Sequence, residues 1–284
     1  MNPTIGAVRA GLARGLIELR HSFTSFSELS GHLFWPLLMV VVLFFVQNSA
    51  VGPSGFSLSA FFLPSMLGMS VAFNGLLGMS GLLSADRRDG TLLRAKAIPN
   101  GMLGYLVSKI IYVGGGLIAD LAIVLITGSM LVDSLTLGRL GSWLALAWIL
   151  ALGMVAVLPL GAILGSLNSG SGGSQGTTML TIMGLVAVSG IFYPITAMPQ
   201  WLQWIGQSFP IYWLGLGMRS ALLPDSAVSA EIGASWRHLE TAAVLGAWAT
   251  FGLIIAPIVL RRMARRESGS SVAARREKAL RQLG

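Results

Sequence analysis

The chemistry open to this chain of 284 residues is narrowed first by what it lacks. It contains no cysteine, which removes disulfides, thiolate zinc sites, iron–sulfur clusters and a thiol nucleophile. The histidines His21, His32 and His238 share no metal-ligand spacing with a carboxylate on one helix, so no metal site is expected. No G-x-x-x-x-G-K-[ST] occurs, so the chain has no P-loop to cradle nucleotide phosphates, and no bound cofactor is expected. One carboxylate, Asp120, stands in the middle of a long apolar stretch, where an unpaired charge is costly. It would serve either as a substrate or proton site on a pathway, or as a hydrogen-bonded group facing a neighbouring helix near Gly114, Gly115 and Gly116, where helices can approach closely.

The elements that must position such residues are set by composition. Apolar residues make up 54% of the chain and charged residues only 11%, against roughly 25% charged in a soluble domain, and the mean hydropathy is +0.75. Lys and Arg number 19 against 11 Asp and Glu, a formal net charge of +8, but they fall in short blocks rather than on a solvated face, which argues against a nucleic-acid partner. The class is an all-α multi-pass membrane protein. A spanning helix needs about 20 mostly apolar residues because its backbone must satisfy itself inside lipid. Six stretches meet that need, at about 33–51, 60–83, 103–132, 142–167, 178–196 and 241–260. The first is expected to remain in the mature protein, since no small-residue cleavage site closes a short apolar core.

Basic loops resist translocation, and their distribution fixes the expected orientation. With both termini cytoplasmic, Arg9, Arg14, Arg20, Arg87, Arg88, Arg94, Lys96, Lys109 and the tail basics from Arg261 to Arg281 lie inside, and only Arg139, Arg219 and Arg237 lie outside. The stretch Trp201 to Leu223 is long enough for another span, but that would carry the basic tail across. It also holds Pro210, Arg219 and the aromatics Trp201, Trp204, Tyr212 and Trp213, of a kind enriched at the membrane–water boundary. The expectation is a re-entrant pair of short external helices before the last span, packed against protein at depth.

Three pieces fall outside the spans. Ile5, Val8, Leu12, Leu16 and Leu19 recur at helical spacing, with Arg9, Arg14, Glu18 and Arg20 largely off that face, which predicts an amphipathic helix lying in the inner interface. Residues 263–284 form a basic cytoplasmic tail that seeks lipid headgroups. Ala85 to Gly101, ADRRDGTLLRAKAIPNG, reads as a short helix: Asp86 and Asp89 at its start, Arg94 and Lys96 toward its end, Pro99 stopping it, and Leu92, Leu93 and Ile98 forming an apolar side that needs a surface to bury it.

An acidic/basic cluster followed by Gly-Thr-Leu and then a proline about nine residues after the glycine resembles the loop after the second span of type-2 ABC exporter permeases, especially the daunorubicin-type antibiotic-resistance branch. Asp86, Arg87, Gly90, Thr91, Leu92 and Pro99 match by position, while Arg88 departs from a glutamate common in part of the family. A second block, Gly190 to Leu222, is similar to the family's signature after the fifth span: Gly190, Tyr193, Pro194, Pro199, Trp201, Pro210, Tyr212 and Arg219 match. The two blocks, six spans and interface helix extend the resemblance over about residues 5–262. The stretch Asn168 to Gly176, NSGSGGSQG, only approximates the L-S-G-G-Q signature of ABC ATPases, because Ser174 separates Gly173 from Gln175; a Gly/Ser turn between the fourth and fifth spans is expected.

The resemblance implies that residues 1–262 are the transmembrane permease domain of an ATP-driven exporter in the cell membrane. Asp86, Arg87, Arg88, Asp89, Gly90, Thr91, Leu92, Leu93, Arg94 and Pro99 would belong to a cytoplasmic coupling helix that docks on a separate ABC ATPase. ATP and Mg would be held by that partner, and the chain itself would not be an enzyme. Six spans are half of one pathway, so a second permease copy or a similar companion is implied, with membrane lipid around both. The cargo class is hydrophobic or amphipathic: a drug, an antibiotic or a lipid-like molecule. An ion-coupled secondary transporter would need several intramembrane carboxylates or broken helices in both halves, and an intramembrane enzyme would need a convergent catalytic set; neither pattern is visible.

Overall fold

A computed structural model describes residues 3–47, 50–51, 56–132, 134–167, 173–193 and 195–266. Among these, five helices are long and apolar enough to cross a membrane: Glu28–Val46, Leu58–Arg88, Gly101–Ser129, Leu140–Leu167 and His238–Met263. The elements run α1 Pro3–Thr24, α2 Phe26–Val46, α3 Leu58–Phe73, α4 Met79–Arg88, α5 Thr91–Lys96, α6 Gly101–Ser129, α7 Leu140–Leu167, α8 Gly173–Val188, α9 Gln200–Ser208, α10 Pro210–Leu222 and α11 His238–Arg266. Two residues on each side of the α2–α3 connection, Ala50–Val51 and Phe56–Ser57, pair antiparallel. The expected first span is thereby shifted toward the N-terminus, running from Glu28 to Val46 rather than from Leu33 to Val51.

Four of the five long helices carry an internal proline, Pro36, Pro64, Pro159 and Pro257. Membrane helices tolerate this because neighbours re-satisfy the freed backbone groups. The second span is also interrupted by a π-helical turn, Asn74–Gly78, which joins α3 to α4. Gly161 of α7 fits against the Gly75 and Leu76 carbonyls of that turn, and Gly165 fits against Ser80. Small residues at these points allow the close approach that stands in for a hydrophobic driving force inside lipid.

The fifth expected span departs most from its reading. Its helix stops at Val188 after 16 residues, about 24 Å at 1.5 Å per residue against a hydrocarbon core of about 30 Å. Gly190 turns the chain at φ +62°, a conformation that favours glycine, so residues 189–193 do not extend the helix. The segments Gly173 to Gly176 of the expected Gly/Ser turn begin α8 instead, while Asn168 to Gly172, like the tail beyond Arg266, lie outside the described residues.

The centre of the bundle is α10. Its residues Ile211, Tyr212, Trp213, Leu214, Leu216 and Met218 are buried against α3, α7 and α11. Gly68 of α3 meets the Gly215 backbone, and Gly217 admits Ile149 of α7. Tyr212 and Trp213 are therefore core residues and not boundary aromatics; Trp201 and Trp204 of α9 alone keep the exposed position expected of the cluster. Pro210 at the first position of α10 pre-sets its helical φ, and extended Phe209 before it breaks α9 from α10.

Candidate functional site

The structure places the sequence-predicted residues at two ends of the bundle. At the first end the expected helix over Asp86 to Ile98 is split. Asp86, Arg87 and Arg88 close α4, Gly90 (φ +81°) turns the chain, and α5 holds only Thr91 to Lys96. Asp89 performs the expected start: its Oδ1 accepts the Thr91 N–H at 2.9 Å, satisfying one of the orphan donors of a helix N-terminus. Asn100 then turns the chain again at φ +52° into α6.

Of the two leucines on the expected apolar side of α5, Leu92 turns inward and Leu93 is half-buried. Leu92 is 1% exposed and sits with Ala95 in a core of Met79, Leu83, Tyr105, Leu260 and Met263; its apolar surface is buried within the chain. The exposed side chains are Arg94 and Lys96 on α5 and Arg88, Asp89, Ala97, Ile98 and Pro99 on the turns that flank it, Ile98 being 62% exposed. They form a charged rim around a small aliphatic patch.

Beneath this rim lies a network that the sequence did not reveal. Lys109 of α6 is buried, and its Nζ lies 3.1 Å from Asp86 Oδ2 and 3.1 Å from Glu18 Oε2 of α1. Tyr105 donates to Asp86 Oδ2 at 2.8 Å, and Arg14 Nε donates to Glu18 Oε1 at 2.7 Å. Burial works against ionisation of Glu18, but the hydrogen bonds from Arg14 and Lys109 outweigh it and hold the carboxyl below its usual range. The only sequence signals were the four-residue spacings Arg14–Glu18 and Tyr105–Lys109; the cross-helix partners are 23 and 91 residues apart.

The network also locates α1. Gly11 and Gly15 fit against the Gly104 and Ser108 backbone of α6, so small residues make the protein contact. Of the expected apolar face, Ile5, Leu12 and Leu16 stay exposed, which suits a helix resting in lipid, while Val8 and Leu19 are half-buried, Leu19 against Gly115 of α6.

At the second end, Arg219 is 1% exposed at the close of α10. Its Nε lies 2.5 Å from Glu231 Oε1, and its Nη1 donates to Ser65 Oγ at 3.1 Å and to the Ile191 carbonyl at 3.3 Å. The guanidinium stacks 4.6 Å over the Phe61 ring. One side chain thus ties α10 to α3, to the turn after α8 and to the segment after α10. Gly190 makes that turn, Pro199 precedes α9, and Tyr193 donates to the Ala187 carbonyl; Pro194 lies outside the described residues. Nearby, Arg237 Nη1 donates to Gln207 Oε1 at 2.7 Å and its guanidinium covers Trp213 at 4.7 Å.

Between the ends, Asp120 has an internal partner. Its Oδ1 lies 2.8 Å from His32 Nδ1 of α2, and Gly116 leaves room for the imidazole, which stacks on Phe23. Asp120 stood alone in an apolar stretch, but His32 lies just before the expected first span in a polar approach with Glu28 and Ser30, so nothing in the chain order joined the two.

These features are those of a multi-pass membrane protein whose described helices are joined by close contacts and buried ion pairs. The chain belongs to the ABC-2 family of transporter membrane proteins: the model of that family, described as ABC-2 family transporter protein, matches residues 40–260. Membership makes it the membrane permease component of an ABC transporter and implies an ATPase partner. No curated protein matches the chain.

Proposed function

We propose that this chain is the membrane-spanning subunit of an ATP-driven exporter that moves a hydrophobic or amphipathic molecule (a drug, an antibiotic or a lipid-like compound) outward. A separate ABC ATPase holds ATP and Mg and docks on the outward face of α5. The observation that carries this reading is the α4–α6 connection: an exposed rim of Arg88, Asp89, Arg94, Lys96, Ile98 and Pro99 on and around a short helix, α5, whose other face is fixed in the core. Ligands shift an equilibrium only through differential affinity for its states. A change in the ATPase therefore needs a lever: Leu92 anchors α5 among α4, α6 and α11, and the Lys109 network couples α4 and α6 to α1.

The charge distribution supports six crossings with both termini inside. An odd number would put the basic end of α11 on the side opposite Arg87 and Arg88. The short α8 then crosses as the fifth span, and α9 and α10 return from the outer face as a re-entrant pair whose depth is tolerated because α10 is wrapped in protein. A second copy or a companion permease completes the pathway.

The test is hydrolysis. The purified chain should turn over no ATP, and co-expression with its cognate ATPase should give membrane-bound ATP hydrolysis and substrate efflux. Turnover by the chain alone, freed of contaminants, contradicts the proposal. Orientation is checked in the same background, since the chain has no cysteine of its own: single cysteines at Arg139 and Ser229 should react with an impermeant maleimide from outside, and one at Arg88 should not.

A further inference from the structure

The helices α6 and α7 follow one another in the chain, joined by residues 130–139, yet their backbones scarcely meet: α6 packs on α1, α2 and α3, and α7 on α4, α10 and α11. A groove of about 270 Å³ is left between them. Its walls are two rows at helical spacing, Ile118, Ala122 and Leu125 on α6 and Trp143, Ala147 and Leu150 on α7. Its floor belongs to the core: Leu67 of α3 is 2% exposed and Met218 of α10 is fully buried. Toward the middle of the membrane the groove is bounded by Met154 of α7, whose methyl group seats against Gly114 of α6. At the other end stands the Trp143 indole, its Nε1 donating to the Leu137 carbonyl at 2.9 Å. The groove opens sideways, where Ile118 and Trp143 are half exposed.

Size and lining select the occupant. The walls run for seven residues of each helix, about 10 Å at 1.5 Å per residue, which fits within one leaflet of a hydrocarbon core about 30 Å thick. Every lining residue is apolar, and the one polar side-chain atom among them, the indole N–H, is already bonded. An occupant therefore gains dispersion contacts and no hydrogen bond. A helix from another copy is excluded by volume, since a 10 Å length of helix about 10 Å across takes roughly 800 Å³. A single hydrocarbon chain fits. The Trp143 end supplies a partner for its head group: tryptophan favours the membrane–water boundary, and Arg139 stands one turn before it. Of the basic residues expected outside, Arg219 is matched by Glu231 and Arg237 by Gln207 and Glu240, whereas exposed Arg139 has no side-chain partner among the described residues. A free guanidinium at headgroup level beside an apolar groove is complementary to a phosphate that carries an acyl chain.

We propose that the α6–α7 groove holds one anionic phospholipid as a resident of the fold, with an acyl chain between Ala122 and Ala147 and its phosphate on Arg139. The lipid joins two helices that protein contacts leave apart, and it is not the transported molecule. Only the choice of leaflet, the outer one, rests on the permease reading.

The probes are a phosphatidylglycerol with a diazirine on one acyl chain and its phosphatidylcholine counterpart, each diluted into phosphatidylcholine nanodiscs that hold the full chain, with adducts mapped by peptide mass spectrometry. Photolysis should label the segments around Ala122 and Ala147, about fivefold more with the anionic probe, as expected for one basic side chain near the surface. Arg139→Gln should remove that preference. Ala122→Leu combined with Ala147→Leu should fill the groove and lower labelling there at least about fivefold, while labelling at exposed Leu253 and Ile258 of α11, a measure of ordinary surrounding lipid, stays the same. Both alanines are exposed and helical, so leucine suits their backbone. In the permease–ATPase complex turning over ATP, groove labelling should not change. Labelling no greater in the groove than on α11, labelling that survives the double leucine variant, or labelling that falls during turnover overturns the proposal. The expected labelling of the chain, in a complex that hydrolyses no ATP, upholds the site and defeats the permease reading instead.

Discussion

At one end of the bundle, Arg219 is closed off from solvent and matched to one carboxylate, Glu231, with Ser65, the Ile191 carbonyl and Phe61 filling its remaining contacts. At the other end, Lys109 is divided between two carboxylates, Glu18 and Asp86, one of which is also held by a solvent-exposed Arg14. The first arrangement is stoichiometric and sealed, and it joins segments close to the outer turn. The second shares two carboxylates between two cations, reaches solvent at its edge through Arg14, and joins α1, α4 and α6 directly beneath the proposed docking rim. A sealed pair fixes geometry because breaking it strands a charge; a shared, partly wet one can be redistributed at lower cost. The difference assigns the rigid role to the α10 end and the responsive role to the α5 end.

The comparison breaks most visibly at Arg219. Arg219→Ala leaves Glu231 buried without its partner, a loss of about 3–5 kcal/mol, read as a sharp fall in thermal stability of the detergent-purified protein. The paired change Arg219→Met with Glu231→Leu should recover much of that loss, because no charge is left stranded. Lys109→Met should be milder, about 1–3 kcal/mol, since Tyr105 and Arg14 still serve the two carboxylates and Glu18 can reach water. Hydrogen exchange should show the loosening confined to α1 and the end of α4.

The leucines of α5 illustrate what the sequence could and could not convey. Residue type told that Leu92 would be buried but not against what; burial in its own chain and burial in a partner groove look identical in sequence. The spans were legible because lipid forbids unpaired backbone, and Arg219 stood out because a lone arginine among aromatics needs a reason. Its partner Glu231 did not, being one acid in an ordinary polar connection. The early stop of α8 hinged on Gly190 adopting positive φ, which apolar Ile191 and Phe192 beyond it concealed. Lys109 was counted as an inner charge, yet nothing in the chain order pointed to Glu18.

Acid sharpens the contrast further. The Glu18 carboxyl is held below its ordinary value of 4.5, so its contribution is complete above that value and is lost as pH falls through the lowered one. Attachment of α1, followed by proteolysis near Thr24, should be constant from about pH 7 to 5 and weaken only below the ordinary carboxylate range. The smallest effect belongs to Arg14→Ala, which removes an exposed four-residue pair and should change stability by less than about 0.5 kcal/mol.

The central claim is that the outward face of α5 receives the ATPase, and a cross-link tests it most directly. A photoactivatable maleimide attached through Ile98→Cys, in a chain otherwise free of cysteine, should capture the co-expressed ATPase in intact membranes. The same reagent attached through Trp204→Cys, exposed at the other end, should not. Capture from Ile98 that is abolished by Arg94→Glu, together with loss of ATP-driven efflux and normal membrane insertion, is the predicted result. Normal efflux with no capture at Ile98, or equal capture from both positions, would contradict the account.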